Sequence, residues 1–167
     1  SIFFVVYLIH RREHAYGWYA LMSFVWVAYM WTLLATDSWP FAHALSMTRA
    51  SVSLFIVYVA CFCQFTWVFG GQSMPRLKKL LWAYALVCCS LTLLAPAEHL
   101  RAVNEFGWFS GVLIFILNCV QFQWHAWRTR EPRHLLLAGC WLVLAAFADL
   151  GFVALMIGVA CYVGNIA

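Results

Sequence analysis

Three polar side chains lie inside apolar runs that are long enough to cross a bilayer, so their chemistry is tightly constrained. Asn118 and Gln121 fall within the run 106–127, and Asp149 falls within the run 135–158. A carboxylate at the bilayer centre costs roughly 2.5–3.5 kcal/mol on insertion scales, so Asp149 must face protein, water or a partner. Buried amides likewise need hydrogen-bond partners. The pattern predicts a polar seam within a helical membrane protein.

The spacing of these groups allows them to meet. Gly107 and Gly111 lie near the same helical face as Asn118, and a Gly-x-x-x-Gly pair lets another helix approach closely. Asn118 precedes Pro132 by 14 residues, and Asp149 follows it by 17. In an antiparallel hairpin the two depths would differ by roughly 4.5 Å, at 1.5 Å per residue. A hydrogen bond between Asn118 and Asp149 is therefore feasible.

A third apolar run, 51–69, places Tyr58, Cys61 and Gln64 on one face, from which they could join the same seam. Three interpretations remain open. The polar groups could satisfy one another and hold helices together, they could sense a ligand or switch between packings, or they could conduct protons or ions. Conduction usually needs more than one buried acid or base, and Asp149 is the only ionisable side chain deep in a predicted span.

A second candidate site lies in two loops on the opposite side of the predicted bundle from the basic loops. Its side chains could line an outward-facing pocket, and histidines and carboxylates are metal-ligand types. Ordinary solvated loops are the simpler interpretation, and no metal site is assigned. The candidates are Asp37, Trp39, His43, Glu98, His99 and Glu105.

Composition fixes the class of protein. Of the 167 residues, 66% are hydrophobic and only 10% are charged, whereas about a quarter of a soluble domain is charged. The net charge of +4 resides in loops and does not indicate nucleic-acid binding. No residue set typical of catalysis or of a cofactor site is present, so neither is assigned.

The apolar runs predict an all-α, polytopic transmembrane bundle with about six visible spans, the first of them truncated. Residues 36–50 are predicted as a loop containing a short interfacial helix that begins at Pro40, and residues 97–105 as a polar loop. The run 135–167 could be one span or two, and one is favoured. We expect residues 1–167 to be a single transmembrane domain from a longer chain that has seven spans. The predicted spans are 1–9, 16–35, 51–69, 77–95, 106–127 and 135–158.

Basic residues predict the orientation. The loops at residues 10–15, 70–80 and 128–134 hold eight of the ten Lys and Arg residues. Loops rich in Lys and Arg remain on the cytoplasmic side. These three loops are therefore predicted to be cytoplasmic.

Two stretches resemble a bacterial receptor family. His10-Arg11-Arg12-Glu13-His14-Ala15-Tyr16-Gly17-Trp18-Tyr19-Ala20-Leu21 joins a basic loop to an aromatic-alanine helix start, and Met74-Pro75-Arg76-Leu77-Lys78-Lys79-Leu80-Leu81 opens the fourth span. Both are similar to the membrane region of seven-transmembrane receptors with diverse intracellular signalling modules. The resemblance implies a sensor in a bacterial inner membrane, with a cytoplasmic output domain in the same chain, such as a histidine kinase or a diguanylate cyclase.

The expected function is therefore detection of an extracytoplasmic or membrane signal. The expected partners are the bilayer, the output domain and an unknown small-molecule ligand, and a homodimer is left open. The alternative is a small transporter or channel that uses the polar seam as its path.

Overall fold

A computed structural model of the chain describes residues 14–35 and 43–141. The described part is helical throughout and contains no strand. Four helices are long and apolar enough to cross a membrane, which supports the predicted class of helical membrane protein. They are α1 (His14–Leu34), α2 (Ala44–Phe69), α3 (Pro75–Leu94) and α4 (Leu100–Thr129).

Contacts divide the chain into two compact units, Ser1–Gln121 and Phe122–Ala167, so the division falls within α4. In the first unit α2 is the central helix. In the apolar stretch of α2, 61% of the residues are buried, compared with 11%, 22% and 17% in the corresponding stretches of α1, α3 and α4. The core of this unit is built mainly on Val52, Phe55, Ile56, Val59 and Cys63 of α2.

Helix α1 packs on α2 through a ladder of aromatic pairs. The ring centroids of Trp26 and Tyr58 lie 4.9 Å apart, and those of Tyr29 and Phe55 lie 5.6 Å apart. Aromatic pairs at 4.5–7 Å contribute about 0.5–1.5 kcal/mol each beyond the area they bury. Helix α1 coincides with the predicted span 16–35 and is one of the four candidate membrane spans, and these contacts make α2 its neighbour.

Helix α4 approaches α2 closely where it carries glycine. A Cβ atom added at Gly111 would lie 2.8 Å from the Phe55 ring, and one added at Gly107 would lie 3.2 Å from Val52 Cγ1. The predicted role of the Gly-x-x-x-Gly pair is therefore confirmed, and its partner is α2. The Phe55 ring also stacks on Trp108 at 5.0 Å.

Two predicted helix starts were wrong. Helix α2 begins at Ala44, seven residues before the predicted start of its span. Thr48 Oγ1 donates to the carbonyl oxygen of Ala44, and Arg49 donates to carbonyl oxygens at the carboxyl end of α3. Polar side chains in this segment therefore find hydrogen-bond acceptors while the backbone is helical. Helix α4 begins at Leu100, inside the predicted loop 97–105.

Length explains both differences. At 1.5 Å per residue, the 26 residues of α2 extend about 39 Å and the 30 residues of α4 about 45 Å. The hydrocarbon core is only about 30 Å thick. Each helix can therefore continue beyond its apolar run. The polar residues that precede the run indicate where the apolar stretch starts, not where the helix starts. In α4 this extension carries an exposed Arg101–Glu105 ion pair at 2.9 Å.

The turn between α2 and α3 is fixed by glycine. Gly71 has φ of +63°, a left-handed conformation that glycine adopts without a steric penalty. The amide of Gly71 donates to Val68 O and that of Gln72 donates to Trp67 O, which is the Schellman pattern of helix termination. Helix α3 then starts at Pro75, because a proline in the first helical turn loses no hydrogen bond.

In the second unit, α4 and a following helix form a hairpin. Arg130 ends α4 with φ of +52°, and the backbone is helical again from residue 132 to residue 141. Gln123 Nε2 donates to Ala138 O at 2.9 Å, and the rings of Phe122 and Trp141 lie 4.9 Å apart. This second helix begins at Pro132, a position where proline loses no hydrogen bond.

The remaining span predictions lie outside the described residues. These are the first span at residues 1–9, the helix beginning at Pro40 and the greater part of the run 135–167. Four membrane-spanning candidates are present within residues 14–35 and 43–141.

Candidate functional site

A polar contact joins α2 and α4 at Asn118, and its other member is Thr66, which the sequence did not single out. Thr66 is fully buried and Asn118 nearly so. Asn118 Nδ2 donates to Thr66 Oγ1 at 3.0 Å. Asn118 thus has a partner on another helix, as its depth in an apolar run requires. Asp149, its predicted partner, lies outside the described residues.

A second hydrogen-bonded pair, between two side-chain amides, lies nearer the turn between α2 and α3. Gln121 Nε2 donates to Gln72 Oε1 at 2.7 Å. Gln72 reaches α4 because the Schellman turn at Gly71 brings the chain back over the end of α2. The two pairs, Thr66–Asn118 and Gln72–Gln121, are called the amide seam below.

A cavity of about 500 Å³ adjoins the amide seam. Its volume lies within the range of about 300–1,000 Å³ that small-molecule sites occupy. The wall is largely apolar, with Asn118 and Gln121 among its few polar members. Three helices line the cavity. The lining includes Cys63 and Trp67 of α2, Leu80 and Tyr84 of α3, and Leu117 of α4.

The face predicted from Tyr58, Cys61 and Gln64 has a mixed outcome. Tyr58 packs among aromatic rings, including Phe115 of α4 at 6.5 Å. Gln64 is 1% exposed, and its Nε2 has no hydrogen-bond partner among the residues that the structure describes. The seam bonds described above involve Thr66 and Gln72, not Tyr58 or Gln64.

The loop candidates are dispersed among exposed positions. His43 precedes the first turn of α2 and makes no side-chain cap there. Glu98 and His99 are exposed in the turn before α4, and Glu105 pairs with Arg101 on the surface of α4. Within the described residues, no group of three His, Cys, Asp or Glu side chains could hold a metal ion. Asp37 and Trp39 fall outside them.

Two further polar links were missed by sequence reasoning. Tyr84 Oη and Ser110 Oγ lie 2.6 Å apart, which joins α3 to α4. The Arg49 guanidinium donates to Leu93 O at 2.8 Å and to Ala95 O at 2.6 Å, so it caps the carboxyl end of α3. The excess of carbonyl groups at a helix end attracts a cation, but the sequence does not reveal which helix end Arg49 reaches.

A separate polar cluster occupies the hairpin of the second unit. Arg133 donates two hydrogen bonds to Glu131 Oε1, at 2.6 and 3.0 Å. These bonds hold the pKa of Glu131 below its ordinary value. Buried His134 lies 3.3 Å from the other carboxylate oxygen of Glu131. The cluster fixes the turn between two helices.

In comparisons with known proteins, the chain matches no protein-family model, no curated protein and no solved structure.

Proposed function

We propose that this chain is a membrane-embedded sensory module that passes a signal to a cytoplasmic output domain through a change in helix packing. The observation that carries the proposal is the amide seam beside a largely apolar cavity that α2, α3 and α4 line. An occupant of such a cavity contacts three helices at once. It can therefore favour one packing over another, provided that it interacts differently with the two.

The free energies of these hydrogen bonds are compatible with a change between two helix packings. Hydrogen bonds between membrane helices contribute on average about 0.6 kcal/mol each and at most about 1.7 kcal/mol. Allosteric coupling typically amounts to about 1–3 kcal/mol. The amide seam is thus weak enough to be rearranged by a ligand and specific enough to define a packing.

The complete proposal includes six spans in this chain, a seventh in the intact protein and a bacterial inner membrane as the location. The loops at residues 10–15, 70–80 and 128–134 face the cytoplasm in this arrangement. The output domain is a histidine kinase or a diguanylate cyclase, as the family resemblance implies. Lipid, the output domain and a small-molecule ligand are the partners.

The reading frame of the gene beyond the codon for Ala167 tests this proposal. We expect it to encode one further apolar span and then a soluble signalling enzyme. A frame that instead continues into another transmembrane bundle without a signalling domain contradicts the receptor proposal. Ion or solute flux into proteoliposomes that contain the protein then becomes the next measurement, because a transporter uses the same polar groups as a path.

A further inference from the structure

The cavity beside the amide seam lies at the surface of the helices. Its inner wall is α2, where Cys63 is almost fully buried, and its two flanks are α3 and α4. Leu80 on one flank is 66% exposed, and Leu117 on the other flank is 58% exposed. Apolar side chains at the surface of helices that cross a bilayer contact lipid chains. The cavity is therefore a cleft that is open to the hydrocarbon of the membrane.

Two cations lie at one end of this cleft, on the first turn of α3. Arg76 precedes Leu80 by four residues, and residues at i and i+4 lie on the same face of a helix. Lys79 follows Arg76 by three residues and is its neighbour on the helix surface. Both cations are exposed, and neither makes an ion pair within the described part of the chain. The first turn of α3 holds no acidic residue, so the two charges are available to an anion.

The depth of these cations matches the headgroup layer of a bilayer. Helix α3 has 20 residues and extends about 30 Å, at 1.5 Å per residue. This length equals the thickness of the hydrocarbon core, about 30 Å, so the first turn of α3 lies at its boundary. Helical side chains also point towards the amino end of their helix, which for Arg76 is the direction of the headgroups.

We propose that the cleft binds an anionic phospholipid, with its phosphate group at Arg76 and Lys79. One acyl chain lies in the cleft between Leu80 and Leu117. Arginine and lysine form charged hydrogen bonds with phosphate oxygens, and basic pockets between membrane helices bind acidic lipid headgroups. A zwitterionic lipid carries a cation of its own beside the phosphate and therefore gains less from the two side chains. This binding site goes beyond the proposed function and does not require a signalling role.

The test uses the full chain in nanodiscs of dioleoylphosphatidylcholine that contain, as the probe, a phosphatidylglycerol with a diazirine on one acyl chain. After photolysis, peptide mass spectrometry locates the labelled residues, which we expect on α3 around Leu80 and on α4 around Leu117. Dioleoylphosphatidylglycerol should displace the probe roughly 5- to 25-fold better than dioleoylphosphatidylethanolamine, since each of the two cations adds about a 5-fold preference for an anionic lipid. The second lipid is zwitterionic and has the same chains.

Two substitutions on one helical turn test the head site. Arg76→Gln should reduce labelling roughly 5-fold, because it removes one of the two cations. Lys78→Gln is the matched control, since it removes the same charge from the same turn, and residues at i and i+2 do not share a face. Lys78 instead lies over the Trp18 ring, with Nζ 5.9 Å from the ring centroid. Its substitution should leave labelling close to that of the wild type.

Two substitutions on α4 test the chain site. Leu117→Trp narrows the cleft and should abolish labelling, whereas Leu113→Trp should retain it. Leu113 is the matched control because it is 57% exposed on the same helix, one turn away, and does not line the cleft. All variants are compared at equal helix content by circular dichroism, so that a loss of fold is not mistaken for a loss of binding.

Four results would overturn the proposal. Equal displacement by the two lipids would mean that charge does not select the head. Equal loss of labelling in Arg76→Gln and Lys78→Gln would mean that the whole basic turn attracts anions without a defined site. Equal labelling of the two tryptophan variants would place the acyl chain elsewhere on the protein. A wild type without labels around Leu80 and Leu117 would mean that another helix, such as one from a second copy, covers the cleft.

Discussion

Single side chains connect the helices of the first unit at a few defined positions. Thr66 with Asn118 and Gln72 with Gln121 join α4 to α2 and to the turn that follows it, and Arg49 joins α2 to the carboxyl end of α3. Each link pairs polar groups that an apolar environment would otherwise leave without partners. The links therefore determine which helices are neighbours more than they determine total stability.

Arg49 provides a residue-scale test. Replacing Arg49 with Leu removes two charged donors from the last carbonyl groups of α3 and should lower the free energy of unfolding by about 1–3 kcal/mol. Arg49→Lys should recover part of this loss, because an ammonium group cannot reproduce the planar fork of guanidinium. Unfolding of the purified protein in mixed micelles of increasing dodecyl sulfate fraction measures the difference.

Arg101→Leu is the matched control for Arg49→Leu. Arg101 pairs only with the exposed Glu105 in the described part of the chain, and exposed ion pairs add little stability. We expect its unfolding curve to overlie that of the wild type. If the two Leu variants unfold alike, Arg49 does not cap α3.

At the residue scale, the sequence predicted which polar groups must be satisfied but not their partners. The depth of Asn118 within an apolar run required a partner, and the structure provides Thr66. Thr66 carries no signal of its own, since a threonine in a membrane helix also satisfies itself by bonding to its own backbone. Pairing across 52 residues depends on helix rotation, which local pattern does not encode.

Among the elements, the turn between α2 and α3 controls where Gln72 lies. Gly71→Ala should lower the free energy of unfolding by about 1–2 kcal/mol, because a left-handed conformation is strained for a residue with a Cβ atom. No atom lies within 4 Å of the added Cβ, so the effect is purely conformational. The same micelle titration measures it.

Gly139→Ala is the control for this element. Gly139 lies in the helix of the second unit, also with nothing within 4 Å of an added Cβ, and its φ is not positive. Alanine is favoured there by about 0.5–1 kcal/mol. The two substitutions should therefore shift stability in opposite directions, and shifts of the same sign would contradict the assigned turn.

The sequence predicted that these helices exist, but it predicted their first residues less well. Apolar runs gave the carboxyl ends of α2 and α3 closely, because Gly70-Gly71 and Pro96 terminate helices. The starts of α2 and α4 were placed too late, because both helices extend beyond the apolar run into polar sequence. The hydropathy of the sequence indicates which part of a helix can lie in the membrane, whereas backbone hydrogen bonds determine where the helix begins and ends.

For the whole molecule, orientation in the membrane is the first property to test. A fusion of green fluorescent protein after Ser73 should fluoresce, and alkaline phosphatase at the same position should be inactive, because phosphatase requires the disulfide-forming periplasm. Fusions after Ala97 should behave in the opposite way. The reverse pattern at both positions would show that the basic loops face outward.

The central claim is that the amide seam sets the activity of an output domain, and the most direct test is the output of the intact protein after the seam is cut. Asn118→Leu and Thr66→Val each break the same hydrogen bond, from α4 and from α2. Asn104→Leu is the matched control, since Asn104 lies on the same helix and its amide oxygen has no partner among the described residues.

Output is measured in native membranes at equal protein level, as phosphate incorporated from labelled ATP for a kinase or as cyclic di-GMP formed from GTP for a cyclase. Loss of a bond of about 0.6–1.7 kcal/mol should change basal output roughly 3- to 18-fold. We expect Asn118→Leu and Thr66→Val to shift output in the same direction and Asn104→Leu to leave it unchanged. Normal insertion with unchanged output in both seam variants would contradict it and leave the seam a purely structural contact.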